Sequence, residues 1–84
     1  MSRKEKLLAR LKQKSKDFKW DDLKVLLRAL GYKQVKQGKT GGSRRRFVHT
    51  MAPPIILHKP HPDNVLKIYI INDIFDILEQ EGLI

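Results

Sequence analysis

Residues 38–62, GKTGGSRRRFVHTMAPPIILHKPHP, hold every histidine and every proline of the chain, together with Arg44, Arg45 and Arg46. These are residue types that could do chemistry on a phosphodiester. Breaking an RNA strand through its own 2′-hydroxyl needs a base for the 2′ proton, an acid for the leaving 5′ oxygen and cations for the crowded phosphorane. Histidine serves either proton-transfer role because its ordinary pKa lies near neutrality. Arginine serves the third, since its planar fork can hold two phosphate oxygens at once. His58 and His61 share one proline-rich loop, and the arginines lie one strand away in chain order. The expected roles are acid–base function at His61, with His58, and a phosphate clamp at Arg44 or Arg46. Arg45 and Lys39 add positive charge.

Each of these residues has a structural role as its competitor. A histidine beside prolines can satisfy loop carbonyls, being both donor and acceptor when neutral. His49 alternates with Phe47 and reads as a sheet residue. Ser43 has no neighbouring base and reads as a turn former. With no cysteine, disulfides and thiolate–zinc sites are excluded. Three histidines with only Asp63 nearby make a poor metal site, so no metal is expected. The glycines at 38, 41 and 42 match neither a P-loop nor a dinucleotide fingerprint, and no small-molecule cofactor is expected.

Charge points the same way as the arginines. Residues 1–50 carry sixteen Lys/Arg against four Asp/Glu, whereas residues 51–84 carry two against five. Clustered cations release counterions from a phosphate backbone, so the asymmetry favours a polyanionic partner over simple solvation. The N-terminus lacks the apolar core of a signal peptide, and no apolar run approaches membrane-spanning length. A soluble, cytoplasmic protein with no membrane partner is the expectation. At 84 residues the chain suffices for one small core.

The elements that must position these groups follow from hydrophobic period. Leu7, Leu8 and Leu11 share a face at helical spacing, which predicts a short amphipathic helix or a weakly docked basic arm over residues 1–17. A domain over residues 18–84 follows. Trp20, Leu23, Leu26, Leu27 and Leu30 form a stripe, Asp21 and Asp22 suit the first turn, and Gly31 can stop the helix. Trp20, sharing that stripe, reads as a core anchor. Residues 32–37 and 43–50 alternate as strands, and a third strand begins near Ile55, after Pro53 and Pro54. In the second strand Ser43, Arg45, Phe47 and His49 share one face, and Arg44, Arg46 and Val48 the other. From Val65 the period becomes helical, with Ile70, Ile71, Ile74, Phe75 and Leu78 on one face and Gly82 as the stop. Short connections make the strands an antiparallel meander. The fold class is α+β: a two-layer sandwich, α-β-β-β-α, with a three-stranded antiparallel sheet and an extra N-terminal helix or arm.

In this order the helix ending LLRALGY, the strand start GGSRRRF and the PH…LK passage before the last helix resemble the HicA family, small toxins of toxin–antitoxin systems. The resemblance covers residues 20–83. It implies a fold similar to double-stranded-RNA-binding domains, endoribonuclease (mRNA interferase) activity and a cognate HicB-type antitoxin as partner. Typical members carry Gly-Ser-His at the start of the second strand, the histidine being credited with RNA cleavage. Gly42 and Ser43 match, but Arg44 stands at the histidine position. The family's second histidine precedes a leucine–lysine pair by five residues, and His61 with Leu66 and Lys67 keeps that spacing. His58 has no counterpart in that pattern. The leading reading is a HicA-like toxin that binds and cleaves mRNA without a metal. Its competitor is an RNA-binding module in which Arg44 marks the loss of catalysis. A DNA-associated corepressor finds no recognition-helix pattern in support.

Overall fold

A computed structural model describes residues 2–13, 16–35, 44–60 and 64–84. Helices α1 (Arg3–Lys12), α2 (Trp20–Ala29) and α3 (Ile68–Gln80) and strands β1 (Lys33–Val35), β2 (Arg44–Val48) and β3 (Ile55–His58) follow the order α1-α2-β1-β2-β3-α3. The sheet runs β1-β2-β3, antiparallel throughout. Three helices and a three-stranded antiparallel sheet make the α+β fold that the periodicities predict.

The helices bury the stripes that define them. Trp20, Leu23, Leu26 and Leu27 of α2 and Ile71, Ile74 and Leu78 of α3 join Phe47, Ile55 and Leu57 of the sheet in one core. Trp20 meets Phe47 edge-on, with ring centroids 5.9 Å apart, so the tryptophan is a core anchor. Both α2 and α3 close with the same device. After Leu30, Gly31 takes φ +102°, its N–H donates to Arg28 O at 3.1 Å, and Tyr32 N–H donates to Leu27 O at 2.9 Å. After Glu81, Gly82 takes φ +72°, its N–H donates to Glu79 O, and Leu83 N–H donates to Leu78 O. These paired bonds satisfy carbonyls that the helix end leaves open, and they require the left-handed conformation that glycine adopts without strain.

Helix α1 belongs to the same core. Ser2 Oγ accepts from Glu5 N–H at 3.2 Å and caps the first turn. Leu7 and Leu11 are buried, Leu11 completely. Arg10 reaches across to Asp22 at 3.2 Å and Asp17 at 3.1 Å, and its guanidinium lies 5.4 Å from the Phe18 ring centroid. Helix α1 packs on α2 and α3.

Element ends differ from the sequence expectation in three places. The final helix starts at Ile68 rather than Val65, because residues 64–66 run extended beside residues 18–20. There Trp20 N–H donates to Asn64 O at 2.7 Å and Leu66 N–H to Phe18 O at 2.8 Å, around an isolated Lys19–Val65 bridge. Phe18 and Leu66, which make this pairing, are both buried in the core. The second strand stops at Val48, short of Thr50, because His49 leaves the ladder. Tyr32 is not a strand residue: its N–H closes α2, so β1 begins at Lys33. Residues 36 and 37, expected in the first strand, and Ser43, expected in the second, lie outside the described residues.

Candidate nucleic-acid interface

The register of β2 sorts the three arginines. Phe47 is buried toward the helices opposite Ile55, and Arg45, two residues earlier, lies on that same face opposite Leu57. Half-buried, Arg45 donates from Nη1 to the Arg44 carbonyl at 3.0 Å. Arg44 and Arg46 project from the other face and are exposed. Among the described residues that face is open to solvent at its partners on β3: His58, opposite Arg44, and Ile56, opposite Arg46, are both exposed. On β1 the same face carries Lys33, opposite Val48, and Val35, opposite Arg46.

Directly opposed residues on adjacent strands hold their Cβ atoms about 4.5–5.5 Å apart. The Arg44 guanidinium and the His58 imidazole therefore share one patch, with Arg46 a further pleat along the strand. Such a patch can grip a phosphate and move a proton beside it. Of the residues expected to act, the structure brings Arg44, Arg46 and His58 together on the open face and puts Arg45 on the helix-facing side. His61 and Lys39 lie outside the described residues.

His49 has a different occupation. Met51 N–H donates to its Nδ1 at 2.9 Å, so Nδ1 must accept, and the ring proton sits on Nε2, which donates to Leu30 O at 3.0 Å. The ring also packs on Tyr32, with centroids 4.9 Å apart. His49 thus ties the exit of β2 to the end of α2. Its nearness also explains Gly31 further, because a Cβ there would stand 2.7 Å from His49 Nε2. Tyr32 itself donates from its hydroxyl to Pro53 O at 3.2 Å, and burial, with the negative charge of Glu81 second, pushes its pKa up.

Clefts lined by described residues flank the sheet. One of about 450 Å³ lies between α2 and β1 and sets Asp21 among Lys24, Arg28 and Lys33. Another, of about 320 Å³, lies where β3 exits toward α3 and has His58 and Lys59 on one wall and Lys67 and Tyr69 on the other. Sequence reasoning passed over Lys59, Lys67 and Tyr69 as functional residues. One signal was present: Tyr69 lies off the buried stripe of α3, which runs through Ile71, Ile74 and Leu78. Among the described residues no group of three histidine, aspartate or glutamate side chains is placed to hold a metal ion.

A family model described as the HicA toxin of bacterial toxin–antitoxin systems matches residues 20–83, from the first residue of α2 to just past the end of α3. The chain belongs to the HicA toxin family. No curated protein and no solved structure gives a significant match. Membership makes the chain the toxin of a toxin–antitoxin pair and implies an antitoxin as its partner. The HicA match takes in the whole sheet and both helices that pack on it, and it leaves α1 outside. No described helix is long and apolar enough to cross a membrane.

Proposed function

We propose that this HicA toxin binds mRNA on the open face of its sheet and cleaves it by metal-independent attack of the 2′-hydroxyl. The observation that carries the reading is the exposed cross-strand pair of Arg44 and His58, with Arg46 on the same face. If position 44 is where typical members hold their histidine, an imidazole is still supplied to that patch, from the neighbouring strand. His58 and His61 take the base and acid roles, and Arg44 and Arg46 neutralise the phosphorane oxygens. Arg45 and Lys39 extend the positive field that attracts the strand. A HicB-type antitoxin neutralises the toxin in the cytoplasm by covering this cationic face, which complements an acidic partner. The domain proper is residues 18–84, with a fold of the double-stranded-RNA-binding kind, and residues 1–17 are an N-terminal addition to it.

The test is induced expression of the wild type, His58→Ala and His61→Ala, with growth and transcript ends followed together. Arrest with new RNA ends in the wild type, both lost in a folded variant, is the expected result. Cleavage that disappears on adding a chelator would overturn the metal-free route. Arrest that survives both substitutions without new RNA ends would favour a non-catalytic RNA-binding module, the reading that Arg44 at the histidine position supports.

A further inference from the structure

The cleft between the end of β3 and the start of α3 has a composition that neither the core nor the open sheet face explains. Tyr69 is 61% exposed at its wall, although the chain's other tyrosine, Tyr32, and its only tryptophan are buried. A large aromatic ring left in water forgoes the burial that would stabilise it, and a flat ring at a cleft wall is a stacking surface. Lys59 and Lys67 line the same cleft with Pro60 and Ile70, and no carboxylate is among the described residues that line it. The first turn of α3 likewise carries no acidic residue. His58 lines the cleft and also stands opposite Arg44, so the cleft opens directly beside the patch where the phosphate would be held. Its volume of about 320 Å³ is at the small end of the range that takes small ligands.

We propose that this cleft is a nucleobase subsite, in which the Tyr69 ring stacks on one base of a single RNA strand while Lys59 and Lys67 hold the phosphates on either side of it. The inference rests on the RNA reading of the sheet face and extends it. A strand gripped at Arg46 and Arg44 passes His58 and delivers its next base to Tyr69. Stacking tolerates any base, because every base has a π-face, so the subsite fixes where the strand lies rather than which sequence it carries.

The probe is a single-stranded 2′-O-methyl oligoribonucleotide, which lacks the 2′ nucleophile and stays intact, carrying one 2-aminopurine whose fluorescence falls on stacking. Binding is followed by anisotropy with the full-length protein. Tyr69→Ala should weaken binding at least about five-fold, as expected from the loss of one base–aromatic stack, and should abolish the fluorescence quench. Tyr69→Phe should keep both. Lys59→Ala and Lys67→Ala should each lower the slope of log affinity against log salt by about 0.7, the single-strand value per phosphate contact. Unchanged affinity and quench in Tyr69→Ala, with binding still weakened by Arg44→Ala, would overturn the subsite and leave the RNA reading standing. Failure of the wild type to bind the probe at any salt concentration would overturn both. A Tyr69→Ala variant that binds RNA normally but loses its antitoxin would assign the cleft to the protein partner instead.

Discussion

Replacing Leu11 by alanine tests whether α1 is part of the fold, although the family match begins only at residue 20. Leu11 is 0% exposed and lies in the same cluster as Trp20 and Ile74. Alanine keeps the helix, since its propensity is the highest, so the change isolates packing. Buried leucine-to-alanine changes cost about 2–5 kcal/mol, and the spread reflects how far the site can collapse. Helix α1 is a terminal element held against α2 and α3, and it can settle partly into the space left. The lower part of the range, about 2–3.5 kcal/mol, is therefore expected. A chain of 84 residues has a total stability of about 4–13 kcal/mol, so this is a large fraction. At roughly 4–8 °C per kcal/mol for a domain of this size, the melting temperature should fall by about 8–28 °C. Urea unfolding followed by Trp20 fluorescence and by far-ultraviolet circular dichroism measures the loss, with exposed Lys6→Ala as a control expected within about 0.5 kcal/mol of wild type. A Leu11→Ala protein within that same margin, or helix loss that precedes the tryptophan transition, would refute the argument and make α1 an appendage.

Other substitutions test the sheet face and its supports. Arg44→Ala and Arg46→Ala should each weaken RNA binding and flatten its salt dependence by about 0.7 in log–log slope for a single strand, measured by anisotropy across a salt series; equal affinities at low salt would remove the open face from the interface. Gly31→Ala should destabilise by more than about 1 kcal/mol in urea titration, because it places a Cβ at positive φ and 2.7 Å from His49 Nε2. The tyrosine at position 32 gives a pH signature. Its pKa is raised in the fold, so the neutral phenol's stability is fully present below about pH 10, the unfolded value, and is lost as pH rises through the folded value. Tyr32→Phe should remove that alkaline loss, seen as a flatter stability profile above pH 10 than the wild type shows.

Much of this architecture was legible from local pattern. The leucine stripe of α2, its acidic first turn and Gly31 located that helix to within a residue, because period, dipole preference and a left-handed stop all act within a short window. The start of β3 at Ile55 followed from two prolines that cannot join a ladder. The face that Arg44 and Arg46 share followed from the two-residue period of a strand.

Contacts between distant residues were decided only by tertiary structure. Leu7 and Leu11 at helical spacing suit a docked helix and a frayed arm equally, and what separates them is the apolar surface that α2 and α3 leave for them. The start of α3 shifted because residues 64–66 found partners at residues 18–20, forty-odd positions earlier in the chain. His49 left its strand for a carbonyl at the end of another element. The pairing of Arg44 with His58 depends on register, which neither strand encodes alone. The sequence by itself thus determined the type and order of the elements and the face that each stripe presents, but not where α3, β1 and β2 begin or end. Tertiary structure decided which faces meet, because periodicity is a property of a few consecutive residues, whereas pairing and burial depend on partners that only the folded chain brings close.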